Sequence, residues 1–202
     1  MFLTLGRKIV YKEKVTIQSS PMDTNFLKLA AIFLVILAAG CTQAPSGTSQ
    51  VSAPGETAAY ASDLYTLDRP ASWEVEENGA FVYFKSPLDA DSNDLQENVV
   101  IYVTPLGDAG QDLVHFFQDS VEILMATTPE FTLVSHGEDK FGNVPAYRIV
   151  YTEGNGDAKT KYLQVFAVEG GNSYIVTYTA PAETFDKYLP DAEAIISSYG
   201  IK

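Results

Sequence analysis

The residues best able to do chemistry are few and scattered. The densest set of oxygen ligands is Asp89-Ala-Asp-Ser-Asn-Asp94, with Glu97 three residues on. Asp89, Asp91 and Asn93 place side-chain oxygens at the first, third and fifth positions of a loop, as a Ca²⁺-binding loop begins. The sixth position is Asp94 where such loops have glycine, and the twelfth is Val100 where they have a bidentate glutamate. A solvated acidic loop is therefore the expectation. A Ca²⁺ site on Asp89, Asp91, Asn93, Asp94 and Glu97 is the alternative, and no other cofactor is expected. His115 and His136 are the only histidines. They are expected at the surface, on a polar helix face and near a strand end. A transition-metal site would need them to converge with acids. The single cysteine, Cys41, excludes an internal disulfide and a zinc site built on several thiolates. No Gly-x-Ser-x-Gly elbow and no Gly-x-x-x-x-Gly-Lys loop occurs. Catalysis is not expected.

Tyrosines recur along the predicted strands. Tyr147 and Tyr151 share one parity, and Tyr174 and Tyr178 share one parity, with Tyr162 between them. Cross-strand aromatic packing is the plainer reading. A sheet face or groove that binds a protein or small ligand through Tyr147, Tyr151, Tyr174 and Tyr178 is the functional one.

Cys41 draws its meaning from what precedes it. Leu29 to Gly40 is apolar, ends in Ala38-Ala39-Gly40, and follows a polar start at Met22 that carries Lys28. Twelve residues are too few to span a bilayer, which needs about 20. A short apolar run ending in small residues marks a secretory signal. The segment resembles the lipobox of prokaryotic lipoproteins, in which the cysteine is lipidated and becomes the new N-terminus. Ala38 stands where leucine is usual. Residues 22–40 are thus expected to be a signal peptide, and Cys41 a lipidation site holding the protein on the outer side of the cell membrane. Residues 1–21 fit no part of such a signal; translation starting at Met22, or an extended n-region, accounts for them. An uncleaved signal anchor is the alternative. Residues 41–62, the cysteine followed by a stretch rich in Ser, Thr, Ala, Gly and Pro, read as a flexible tether. Its reach is about 25 Å.

Charge separates these parts. The 202 residues hold 13 Lys/Arg and 26 Asp/Glu. Residues 1–40 contain five of the former and only Glu13 and Asp23 of the latter, leaving 8 basic against 24 acidic residues in 41–202, a net −16. Such a field repels phosphate backbones, so nucleic-acid binding is not expected, nor is flat adsorption on anionic lipid. With 46% hydrophobic and 12% aromatic residues, the remaining chain can bury one sizeable core.

From residue 63 the hydrophobic period is mostly two. Trp73–Glu76 and Ala80–Phe84 flank Glu77-Asn78-Gly79, a hairpin signal. Asn98–Thr104 is apolar on both faces and so a central strand. Asp108, with Gln111 three residues on, predicts a helix start. The helix runs to about Ala126, with Leu113, Phe117, Val121 and Leu124 inward, widened by Val114, Phe116 and Met125. Strands follow at 131–136, 146–152, 159–168 and 173–179, separated by Gly/Asn-rich turns. A last helix is expected from about Pro181, kinked or split at Pro190 and stopped by Gly200. The expected fold is α+β: a central antiparallel sheet of about seven strands flanked by two helices in an α/β/α-type sandwich, over residues 63–202.

Several stretches in this order carry a family resemblance. They are Tyr65-Thr-Leu-Asp-Arg-Pro-Ala-Ser-Trp73, Phe84-Lys-Ser-Pro87, Glu97–Val103, Gly142-Asn-Val-Pro-Ala-Tyr147, Lys161–Phe166 and Ser173–Ala180 before a helix with Phe185. The domain resembles the PsbP-like family, which includes photosystem extrinsic proteins, a Ran-binding import factor and prokaryotic lipoproteins related to LpqN. The resemblance implies a flanked antiparallel sheet and a role in assembly or binding rather than a particular reaction. A neutral tether replaces the basic N-terminal segment of the photosynthetic members, so a photosystem role is not expected. The resulting expectation is a membrane-anchored, extracytoplasmic, non-catalytic binding or assembly domain with an envelope protein as partner. A cell-surface enzyme without a recognisable motif, or a metal-binding envelope protein, is the alternative.

Overall fold

Alternation in short segments separated by glycine turns should yield a meander, and a meander is what forms. The computed structural model describes residues 55–88, 95–107, 111–156 and 159–202. Along the chain come β1 (Thr57–Ala61), β2 (Tyr65–Pro70), β3 (Glu74–Asn78), β4 (Phe81–Lys85) and β5 (Asn98–Pro105). Then follow α1 (Leu113–Thr127), β6 (Thr132–Phe141), β7 (Val144–Glu153), β8 (Thr160–Glu169), β9 (Asn172–Pro181), α2 (Phe185–Ser197) and β10 (Gly200–Ile201). Seven strands form one antiparallel sheet in the order β3-β4-β5-β9-β8-β7-β6, and β1-β2-β10 form a second, smaller one. The fold class is α+β.

The two helices take opposite faces of the large sheet. On one face, Phe116 and Phe117 of α1 meet Phe166, and Phe117 stacks on Tyr147 at 4.9 Å. On the other, Phe185, Ala192, Ile195 and Ile196 of α2 join Val165, Val176, Tyr178 and the small sheet's Tyr65 and Leu67 in one core. With both faces covered, β8 and β9 are buried along almost their whole length. This is why their sequences read as apolar runs rather than clean alternation. Trp73 follows a turn closed by its N–H to the Pro70 carbonyl, and its ring meets Tyr188 of α2 edge-on. It pins the β2–β3 connection to the helix.

Several local expectations shift. β1 lies inside the stretch expected to be tether: Thr57–Ala61 pairs with Thr66–Pro70, and Tyr60 packs edge-on against Phe84. One aromatic residue gives an otherwise small, polar segment enough apolar contact to order it. The β3–β4 turn is Gly79-Ala80, one residue later than expected, because Asn78 pairs with Phe81. α1 is capped by Asp112, whose Oδ1 accepts from the N–H groups of Val114 and His115 at 3.0 and 3.1 Å. Asp108 lies outside the described residues. The helix's buried stripe is Phe116, Ser120, Ile123 and Leu124, while Val114 and Met125 are exposed. α2 starts at Phe185 rather than near Pro181, which ends β9. It runs unbroken through Pro190, because Phe185 before the proline and Ala192, Ile195 and Ile196 after it are all held in the core. Gly200 does not stop this helix. Ser198 is its C-cap, and Gly200 opens β10 opposite Thr66.

Candidate functional site

Of the candidate metal ligands, Asp89, Asp91, Asn93 and Asp94 lie outside the described residues, as does Cys41. Glu97 is described, and it is 4% exposed. Its Oε2 accepts from the Ser86 hydroxyl at 3.0 Å and its Oε1 from the Thr184 hydroxyl at 2.8 Å. Oε2 thus braces the β4–β5 connection internally, and Oε1 ties it to the entry of α2. A buried carboxylate needs such donors. Among the described residues no three His, Cys, Asp or Glu side chains converge as metal ligands.

The histidines occupy separate elements. His115, at the exposed start of α1, sits with Nδ1 2.6 Å from Asp112 Oδ2. Hydrogen bonds from the His115 backbone and ring hold the Asp112 carboxyl below its usual range. His136 is exposed on β6.

Register decides what the tyrosines do. Tyr151 pairs with Tyr162, and Tyr162 with Thr179, so these side chains point to the α1 side, as does Tyr147. Tyr174 and Tyr178 lie at odd offset in that register and point to the α2 side. The four residues therefore form two groups on opposite faces. Tyr147 stacks on Phe117, and Tyr151 stacks on Tyr162 at 4.8 Å and Phe131 at 5.1 Å. Tyr174 packs near Phe141 and Tyr199, and the Tyr178 hydroxyl donates to the Phe185 carbonyl at 2.8 Å. Tyr151, Tyr174 and Tyr178 are buried.

The α1-side face also carries a polar seam. Gln164, Thr177 and Thr179 sit side by side on β8 and β9, all buried; Gln164 Nε2 donates to Thr177 Oγ1 at 3.0 Å. Among the described residues, Gln164 Oε1 and Thr179 Oγ1 have no hydrogen-bond partner. A buried polar group left unpaired costs about 1–3 kcal/mol. Thr179→Val, which keeps the shape and removes the orphan, is therefore expected to leave stability unchanged or raise it by about 1 kcal/mol. Urea unfolding checks this; a clear loss would mean that the hydroxyl has a partner. The seam has a sequence signal: Gln164 and Thr177 interrupt otherwise apolar strands.

Exposed apolar side chains lie elsewhere; Leu88, just after β4, is 75% exposed. β6 ends the large sheet, and its first five residues, Thr132–His136, are exposed. Leu133 and Val134 are 48% and 54% exposed, and Met125 near the end of α1 is 62% exposed. The pairing of Leu133 with Tyr151 places it on the α1 side.

The PsbP family model matches residues 56–201. The chain belongs to the PsbP family. No curated protein matches it. Three solved structures share the fold at low identity. CyanoP, the PsbP of the cyanobacterium Synechocystis sp. PCC 6803, is 13% identical, with a TM-score of 0.55 over 79% of this chain and 100% of its own. LpqN of Mycobacterium tuberculosis, involved in cell envelope biogenesis, is 17% identical, with a TM-score of 0.55 over 75% of this chain and 87% of its own. PA94 of Pseudomonas aeruginosa, a protein of unknown function, is 18% identical, with a TM-score of 0.52 over 71% of this chain and 96% of its own. The PsbP match begins at Glu56, one residue before β1, in agreement with the strand found inside the expected tether. The two-layered cover of the sheet is thus a PsbP-family fold, and in this member Trp73, Glu97 and Phe185 join its parts. Among the described residues no helix is long and apolar enough to cross a membrane.

Proposed function

We propose that this PsbP-family domain is a non-catalytic binding module, held on the outer side of the cell membrane by lipid on Cys41, that engages an envelope protein. The observation that carries the binding role is the pair of exposed apolar side chains Leu133 and Val134 on the edge strand β6 of a strongly acidic domain. The likeness to LpqN, a protein of envelope biogenesis, supports an envelope setting. The anchor rests on the lipobox-like stretch before Cys41.

Two measurements test the reading. Cys41→Ser is expected to move the protein from the membrane fraction to the soluble extracytoplasmic one and to abolish lipid labelling; unchanged membrane retention would remove the anchor. Affinity capture of the full chain from native membranes is expected to recover one stoichiometric protein. Recovery of lipid and bulk envelope alone would count against a binding module.

A further inference from the structure

The two edges of the large sheet differ. β3 is only five residues long, carries Glu74, Glu76 and Glu77, and has Lys85 bound to Glu76 and the Tyr60 hydroxyl to Glu77. Short length and charge are how proteins guard an edge against further pairing. β6 is ten residues long, and among the described residues no strand pairs with its outer side. After an irregularity between Leu133 and Ser135, its register with β7 runs unbroken from Ser135 opposite Val150 to Phe141 opposite Val144. Ser135–Lys140 therefore offers an ordered outer row of main-chain donors and acceptors.

Gly137 lies in the middle of that row. Its φ is not in the left-handed region, and a Cβ built on it meets nothing within 4 Å. Among the described residues, neither backbone conformation nor the space around a Cβ requires glycine there. A glycine inside a strand marks a bulge, a bend or the close approach of another backbone. The irregularity lies upstream, and the pairing at Gly137 is regular, which leaves the approach.

Charge defines what can approach. The region 41–202 carries a net −16. Many of its cations are spent internally. Arg69 donates to the Pro70 and Trp73 carbonyls, and Lys85 holds Glu76. Arg148 bridges Asp139 and Glu193, Lys161 faces Asp186, and Lys202 donates to the Ser62 carbonyl. On the α1 side of β6, Glu138 is exposed opposite Tyr147, and Lys140 is exposed opposite Pro145 at the end of the row. Two such domains would repel each other, so a second copy is disfavoured.

We infer that β6 is a strand-addition site: an extended, cationic segment of a partner protein pairs with Ser135–Lys140, passes close to Gly137, sets a Lys or Arg beside Glu138, and lays an apolar side chain on Leu133 and Val134. This rests on the binding-module reading above and names the surface and the chemistry of its partner.

The probe is a ten-residue peptide alternating valine and lysine, added to the intact chain. Two controls go with it: the same peptide N-methylated at alternate amides, and one with glutamate for lysine. Affinity and amide hydrogen exchange are read together. The lysine peptide is expected to bind and to protect amides within Ser135–Lys140. N-methylation, or the glutamate exchange, is expected to weaken binding by about tenfold or more. Gly137→Thr, whose Cβ meets nothing within 4 Å, is expected to weaken binding about tenfold, and its unfolding midpoint is measured alongside to tell a folding defect from a lost contact. Equal binding of the N-methylated peptide would reduce the interaction to charge attraction and overturn the inference. So would protection confined to other strands, no binding at all, or a peptide-free dimer protected at β6. Capture of the native partner by Gly137→Thr as well as by the unaltered chain would overturn the edge site and leave the binding module standing. Absence of a partner with both would remove the binding module itself.

Discussion

Raising the pH above about 10 is expected to unfold the domain steeply. Tyr65, Tyr151, Tyr162, Tyr178 and Tyr199 are almost fully buried, and burial first of all pushes each phenol above its ordinary value. The sign follows from which form the fold prefers. A raised folded pKa means that the native state keeps the proton the unfolded chain releases at about 10. The stabilisation is complete below that value and is lost as pH rises towards the folded pKa. Each tyrosine then loses about 1.4 kcal/mol for a unit of pH above 10. Five together lose about 7 kcal/mol by about pH 11, which matches the whole stability of an ordinary domain. Tyr60 is pushed up to about 12, by desolvation and then by its hydrogen bond to Glu77. It adds to the same trend, although it is partly exposed. Tyrosinate absorbance and circular dichroism followed together check this: ionisation and loss of structure should coincide in one sharp transition. Gradual ionisation of a chain that stays folded would mean that these hydroxyls reach solvent.

Gly142→Ala is expected to be the most damaging exchange at a turn. Gly142 joins β6 to β7 with φ +57, and a Cβ there would lie 1.8 Å from the Tyr199 carbonyl oxygen. The Gly142 N–H also donates to the Ile196 carbonyl at 3.1 Å. The turn is therefore seated on the end of α2. An added methyl group must separate the two and disturb Tyr199, which stacks on Tyr65 at 4.7 Å and touches Phe141. The left-handed backbone alone costs about 1–2 kcal/mol with a side chain. With the clash, the expected loss is about 3 kcal/mol or more. Gly79→Ala is the control, because Gly79 has φ +62 but open space around it. Urea unfolding of the two variants isolates the close approach, and equal losses would show that the turn does not rest on the helix.

Both expectations rest on contacts between segments far apart in the chain, which a reading of contiguous residues does not reach. Periodicity revealed the meander β6–β9, the central character of Asn98–Thr104 and an inward face on each helix, because a strand or helix signals its own burial within a few residues. The PsbP resemblance rested on the same stretches. Single turns were less legible. Asp108 and Asp112 are both good caps, and which one is used depends on the side chains packed behind it. β1 escapes the composition because what orders it, pairing with β2 and the contact of Tyr60 with Phe84, comes from segments further along the chain.

The candidate site shows the division most clearly. The tyrosine parities within each strand were right, yet parity says nothing of the offset between strands, and that offset sends Tyr147 and Tyr151 to one face and Tyr174 and Tyr178 to the other. Glu97 read as a possible ligand because its acidic neighbours are local; the Thr184 hydroxyl that occupies it comes from far along the chain. Composition and spacing alone determined the class of fold, the acidic field and the lipobox-like stretch ending at Cys41, all of them properties of contiguous residues. Only the tertiary structure decided that Gly142 is pressed against Tyr199, that Gln164 Oε1 and Thr179 Oγ1 are buried without hydrogen-bond partners among the described residues, and that β3 and β6 are the two ends of the large sheet. Each of these depends on distant segments meeting, and strand order is set by the total burial of both sheet faces rather than by any one strand.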